Sequence, residues 1–204
     1  MPICLNINHY SVQTLPDLLN QQVQILSIGL NPSLPSVREG FYFANPRNRF
    51  WKALNNSGLS ESPVPPSLAG CQQLLEQFHI GMTDLVKRPT AGCKDLKAAD
   101  YRLGAVRLIE LIHSIKPSLI WIHGKLTCQK FLQYQATTNN APPSAFRKGI
   151  SDIAWGAQDW QINNTPVYIS PNPSPANAAY SLTDISDSYQ ALLAFSQKII
   201  EAKQ

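Results

Sequence analysis

The chain has 204 residues, 44% of them hydrophobic and 15% charged, enough to bury a sizeable core in one compact unit. Seventeen lysines and arginines against thirteen aspartates and glutamates leave a formal charge of +4, which permits a polyanionic partner without requiring one. No apolar run reaches the roughly 18–20 uncharged residues of a membrane span, and residues 1–6 carry no basic region followed by an apolar stretch, so neither membrane insertion nor a secretory leader is expected.

In chain order, residues 24–29 (Gln-Ile-Leu-Ser-Ile-Gly) read as a short buried strand, followed by a loop over 31–45. Asn45 with Pro46 behind it predicts a helix start, with Phe50, Trp51 and Leu54 on the buried face and Gly58 as the stop. After a stiff Pro-rich connector at 62–66, Ser67 caps a helix carrying Leu68, Cys71, Leu74, Leu75 and Phe78 at helical spacing. A further helix is expected over 101–115, stopped by Pro117, then a strand over 118–122 that turns at His123-Gly124 into a helix from Lys125. Apolar runs at 159–162 and 166–169 bracket Asn163-Asn164-Thr165, a hairpin or tight turn, and a last helix spans 184–202. Strands alternating with helices predict an α/β fold: a three-layer α/β/α sandwich around a central, mostly parallel sheet of four to five strands. One domain is expected over 1–204, with a short N-terminal extension over 1–22.

The four cysteines, Cys4, Cys71, Cys93 and Cys128, are too scattered to begin a metal site, so reduced thiols in a cytosolic compartment are expected. His9, His79, His113 and His123 show no metal-ligand spacing either. His123 closes a strand beside Gly124-Lys125, where packing and a phosphate contact are both open.

Ligands in open α/β sheets bind beyond the carboxyl ends of the strands. Two loops at such ends place an asparagine before proline: Asn31-Pro32-Ser33 and Asn172-Pro173-Ser174. Proline holds the preceding residue extended, which fixes the direction of each Asn side chain. Each loop alone is also an ordinary turn. Between them, Phe41-Tyr42-Phe43 offers a face on which a planar base could stack, and Arg47 and Arg49 lie in the expected first helical turn, where backbone N–H groups favour anions. Aromatic core with solvated arginines is the plain alternative. Lys87-Arg88 and Lys125 are further candidates for phosphate contact, or solvated surface charges.

Taken in order, Gly-Leu-Asn-Pro-Ser at 29–33, Gly-Phe-Tyr-Phe-Ala-Asn-Pro-Arg-Asn-Arg-Phe-Trp at 40–51 and the late Asn-Pro-Ser at 172–174 resemble the uracil-DNA glycosylase superfamily, most closely its mismatch-specific uracil/thymine branch. Residues 81–90 and 122–125 extend the resemblance, which covers about 24–191. It implies that Asn31 positions the water attacking C1′ of a flipped-out nucleotide and that Phe43 stacks on the extruded base. It further implies that the Leu30 backbone, Asn48 and Asn172 lie at the base. Ser33 occupies the position where strict uracil enzymes carry a tyrosine that excludes a C5 methyl. The late loop, with Ser174, Pro175, Ala176 and Asn177, corresponds to the segment that enters the minor groove, while Arg47, Arg49, Lys87 and Lys125 would hold phosphates.

The late loop departs from the mismatch-specific pattern, which continues with glycine and a larger apolar wedge; Ser174-Pro175-Ala176-Asn177 looks more like the hypoxanthine-type branch. The expected activity is a monofunctional glycosylase removing uracil, or thymine and other modified bases, from mismatched DNA. The alternatives are a hypoxanthine/xanthine glycosylase of the same superfamily and a nucleic-acid-binding module without catalysis. No metal or organic cofactor is implied. The expected partner is double-stranded DNA with a mismatched or damaged base, met by a monomer in the cytoplasm of a bacterium or the nucleus of a eukaryote, with no membrane contact.

Overall fold

A computed structural model describes residues 3–7, 10–135 and 153–201. Two N-terminal strands, β1 (Ile3–Ile7) and β2 (Tyr10–Thr14), form a separate antiparallel hairpin. The central sheet holds β3 (Ile25–Gly29), β4 (Ile80–Asp84), β5 (Leu119–His123), β6 (Gly156–Ile162) and β7 (Thr165–Ser170) in the order β4-β3-β5-β7-β6. The first four strands of that order run parallel, and β6 closes the edge antiparallel to β7. The expected three-layer architecture is therefore observed. The β6–β7 turn is the expected tight one: Asn163 and Asn164 both adopt left-handed backbone (φ 48° and 61°), which asparagine tolerates and which matches the strand twist.

The helices are α1 (Leu34–Glu39), α2 (Phe50–Ser57), α3 (Leu68–Gln77), α4 (Ala98–Ile115), α5 (Lys125–Gln135) and α6 (Leu182–Glu201). Side chains alternate across each strand, so the sheet supplies two cores. Ile25, Met82, Trp121 and Tyr168 pack with α2, α3 and α6, whereas Leu26, Ile28, Ile120, Ile122 and Val167 pack with α4 and α5. Ser67 caps α3 as expected, accepting from the Gly70 N–H. Leu68, expected on the buried face of α3, is exposed, while Cys71, Leu74 and Leu75 are buried. The end expected for the last helix at Ala202 lies outside the described residues.

Two expectations give way. The stretch 31–45 is not all loop, because Ser33 accepts from the Ser36 N–H and starts α1. The helix expected from Asn45 begins at Phe50: Asn45 Oδ1 instead accepts from the Arg47 N–H and Asn48 Oδ1 from the Phe50 N–H, two side-chain turns that precede the helix. Arg47 and Arg49 consequently lie before the first turn of α2. Within the expected extension over 1–22, Leu15 is buried in the core and Leu18 exchanges backbone hydrogen bonds with Met82.

The segment between β2 and β3 also carries the anchor of a charge cluster. Asp17 accepts from Lys87 Nζ at 2.8 Å, from Arg107 Nη1 at 2.6 Å and from Thr83 Oγ1 at 2.7 Å. Burial alone would push the Asp17 carboxyl up; the adjoining Lys87 and Arg107, with the hydrogen bonds from Lys87 and Thr83, outweigh it and hold the group below its ordinary 3.8. The Lys87 side chain is only 6% exposed, so loss of its partner leaves a buried, unpaired ammonium. Asp17→Asn should lower unfolding free energy by about 3 kcal/mol in urea melts. In the parent, this contribution is complete above the ordinary carboxylate pKa and fades as acid takes the pH through the lower folded value, so the variant should lack that share of the acid destabilisation.

Candidate active site

Parallel register brings the carboxyl ends of β3, β4, β5 and β7 to one edge of the sheet, with Gly29 opposite Asp84 and His123 opposite Ser170. On the face covered by α2 and α6, the last inward positions of the four strands are Gly29, Asp84, His123 and Ser170. Above them lies a cavity of about 380 Å³, within the range of small-molecule sites. The early loop (Asn31, Ser33), Phe43, Asn48 and the late loop (Asn172, Ser174) all line it, so the two Asn-Pro turns do converge.

Asn31 is fixed by its own amide. Its Nδ2 donates to the Arg88 carbonyl at 3.1 Å, the Thr90 hydroxyl at 2.8 Å and the Pro32 carbonyl at 3.3 Å. Two of these partners are carbonyls and accept only, which orients the amide with nitrogen toward them and leaves Oδ1 uncommitted to protein donors among the described residues. A fixed acceptor at a cavity wall can hold a water by one of its hydrogens.

Phe43 sits in left-handed backbone (φ 57°), uncommon for an aromatic residue. Its ring stacks on buried Phe50 at 4.0 Å with a 15° interplanar angle and meets the edge of His123 at 5.2 Å, while the half-buried remainder faces the cavity. Of the other two adjacent aromatics, Tyr42 also borders the cavity but is buried and donates its hydroxyl to the Pro16 carbonyl, and Phe41 packs on Trp51. Asn48 and Asn172 line the cavity with their oxygens already accepting, from the Phe50 and Ser174 N–H groups respectively, which leaves their NH₂ groups as donors. Ser33 lines the cavity too, but its hydroxyl serves α1 by accepting from the Ser36 N–H and donating to Ser36 Oγ. The Leu30 carbonyl is taken by the Val86 N–H.

His123 is 1% exposed, hydrogen-bonded through Nε2 to Ser27 Oγ at 2.8 Å and set among Trp121, Phe50 and Tyr189. Burial pushes its pKa down to about 3, so the imidazole is neutral at physiological pH. It lines the cavity as a neutral dipole, not as a phosphate contact. Gly124 follows at φ 92° beneath the late loop, where a Cβ would come within 3.1 Å of the Asn172 Cβ. Asp84, also on the floor, was not singled out from sequence; its signal is the inward polar residue ending β4.

Two expected phosphate ligands are used otherwise. Arg49 spends its guanidinium on the late loop, with Nη2 donating to the Ser174 and Asn177 carbonyls at 2.7 Å each, Nη1 to the Tyr180 carbonyl and Nε to the Pro173 carbonyl at 3.4 Å. Lys87 is buried against Asp17. Arg47 remains exposed, and Lys125 lies half-exposed with Nζ 4.7 Å over the ring of Trp155. In the late loop, Ser174 Oγ accepts from the Ala176 N–H and the Asn177 amide donates to the Asn172 carbonyl, so both stiffen the turn, while Ala176 is exposed and Pro175 half-buried. Among the described residues, no group of three or more His, Cys, Asp or Glu could hold a metal ion.

The sequence profile of the uracil DNA glycosylase superfamily matches residues 16–196, nearly the whole chain and every element that lines the cavity. The chain belongs to the uracil-DNA glycosylase superfamily. Membership places it among the DNA glycosylases, hydrolases of DNA repair. Within this superfamily fold, Arg49 is the strut between α2 and the late loop. Arg49→Ala should speed amide hydrogen exchange over 173–181 by about tenfold or more while circular dichroism of the whole chain stays unchanged. Arg49→Lys should not restore protection, because a single ammonium cannot span four carbonyls as a planar fork does.

Proposed function

We propose that the protein is a monofunctional DNA glycosylase that hydrolyses the bond between deoxyribose and uracil mispaired with guanine in double-stranded DNA, acting as a monomer. The observation that carries this reading is the locked Asn31 amide, whose free oxygen and the face of Phe43 border one cavity. Cleavage of an N-glycosidic bond is largely dissociative: the sugar becomes cationic while the base departs with the bonding pair. Such a site must capture a planar base, disperse negative charge on it and hold a water beneath C1′. Phe43 supplies the stacking face. The NH₂ groups of Asn48 and Asn172 supply donors, and Asn31 Oδ1 accepts from the water without deprotonating it outright. The water's oxygen bonds to C1′, its proton passes to solvent, and the product is an abasic site with an unbroken strand. Slow chemistry, governed by orientation and leaving-group stabilisation, follows from an amide in this role.

Extrusion of the nucleotide costs a few kcal/mol, least at a mismatch or lesion. The small side chain of Ser33 leaves space beside the base, which supports acceptance of thymine and bulkier adducts. Exposed Ala176 and Ala178, where a bulky wedge would fill the vacated stack, favour a second reading, hypoxanthine or xanthine as the preferred base. Arg47 and Lys125 are the remaining basic residues proposed at the DNA backbone.

Single-turnover cleavage of duplexes carrying uracil, thymine, ethenocytosine, hypoxanthine or xanthine opposite each normal base tests the proposal. Cleavage fastest at uracil opposite guanine is expected. Preference for a deaminated purine, hypoxanthine or xanthine, would transfer the assignment to the second reading, and no cleavage with salt-sensitive DNA binding would leave only a binding module. Asn31→Ala should reduce turnover about a hundredfold or more with duplex affinity within a few-fold, and full activity would contradict water positioning. Phe43→Ala should weaken capture of lesion DNA by about 1–3 kcal/mol beyond any loss on undamaged duplex, measured by competition binding.

A further inference from the structure

Asp84 closes β4 directly opposite Gly29. Its side chain is 4% exposed and lines the cavity, and its Oδ2 is buried with no hydrogen-bond partner. Gly29 makes room for it, since a Cβ there would collide with Asp84 Oδ1. Two cations stand close by, yet neither reaches the carboxyl group: Lys87 and Arg107 both turn to Asp17, and Arg107 Nη2 donates to the backbone carbonyl of Asp84 instead. A buried carboxyl group left without donors is more stable neutral than ionised.

The groups that face Asp84 come from several elements. Asp17 precedes β3, Lys87 follows β4, Arg107 comes from α4, Tyr42 from the loop after α1, and His123 across the floor from β5. Burial pushes the Asp84 carboxyl up to about 7, with Lys87 opposing, Asp17 reinforcing and Arg107 opposing. Burial, with Asp84 and Asp17 beside it, raises Tyr42 well above its ordinary 10.0, and burial lowers His123, so both stay neutral across the working range. When Asp84 is protonated, Asp17, Lys87 and Arg107 together leave one positive charge under the cavity floor. That charge favours an anion above it.

We propose that Asp84 acts as a protonated carboxylic acid, donating a hydrogen bond from its hydroxyl to a ring-carbonyl oxygen of the bound base and keeping that bond as the base departs. The inference rests on the glycosylase reading above and names the ligand chemistry of the cavity floor, an oxo-purine or oxo-pyrimidine. The electron pair of the glycosidic bond passes to the base, its negative charge collects on the carbonyl oxygen, and the Asp84 O–H bond stays intact. Ionised Asp84 would repel the same oxygen. Activity therefore belongs to the protonated form and is lost as pH rises through its pKa.

The test compares parent, Asp84→Asn and Asp84→Ala in three measurements: single-turnover cleavage from pH 6 to pH 9, affinity for free uracil and hypoxanthine over the same range, and the infrared carbonyl stretch of a protonated carboxyl group at pH 6. The parent should show the protonated-carboxyl band, and its rate and free-base affinity should fall about tenfold per pH unit once Asp84 ionises. Asp84→Asn should lose the band and, donating through its NH₂ at every pH, give a lower but flat profile. Asp84→Ala should fall about a hundredfold at pH 6. The donor role is overturned by absence of the band in the parent, by the same alkaline fall in Asp84→Asn, or by parental cleavage and base affinity in Asp84→Ala. If the parent binds free bases with this pH dependence yet cleaves no lesion, the donor stands and the glycosylase reading fails. Cleavage with no change on substitution fails the donor alone.

Discussion

The site depends on the parallel register of four strands. Because β3, β4, β5 and β7 all run the same way and are paired nearly level, their carboxyl ends open at a single edge, and period-two alternation aims the last inward residue of each at the same space. Those residues are Gly29, Asp84, His123 and Ser170; in β4, β5 and β7 the inward positions before them (Met82, Trp121, Tyr168) are large core residues, and in β3 the position is Ser27, hydrogen-bonded to His123. The core thus ends in a polar floor without any interruption of packing. A one-residue slip in any strand would exchange its polar end for a residue of the opposite core.

Over that floor the charges are kept out of the cavity by design of the partners. Histidine is present but neutral because burial disfavours its cation, and the buried lysine and the α4 arginine are drawn to Asp17. Of the cations near the cavity, Arg49 is consumed by carbonyls of the late loop. Hydrogen-bond donors and a fixed acceptor remain facing inward, a combination suited to a neutral planar ligand that acquires negative charge only as it leaves. Preorganised dipoles of this kind need little rearrangement when charge develops.

Much of the fold was legible because its signals are local. The apolar runs ending in Gly29 and His123, the Ser67 cap and the Asn163-Asn164 turn each act within a few residues, and each appears as expected. The short pieces were not: α1 has only six residues, half of them polar, too brief for a periodic pattern, and β4 carries Gly81 and Thr83 in five residues, which only the surrounding sheet makes a strand. Asn45-Pro46 reads as a helix start by local rules, and only the side-chain turns made by Asn45 and Asn48 delay the helix to Phe50. In the site, the two Asn-Pro loops and Phe43 were visible as motifs, whereas the duties of Arg49 and Lys87 depend on partners 124 or more and 70 residues away, and their charge alone suggested phosphate. Asp84 stayed hidden because an acidic residue in sequence carries no sign of whether its partners will reach it.

The central claim is that a water held by Asn31, and no protein nucleophile, attacks the sugar. Incubation of uracil-containing duplex with the protein under borohydride, with mass spectrometry of the DNA and protein products, reads this directly. The account predicts an abasic sugar in an unbroken strand and no trapped protein–DNA adduct. A borohydride-stabilised adduct would contradict it.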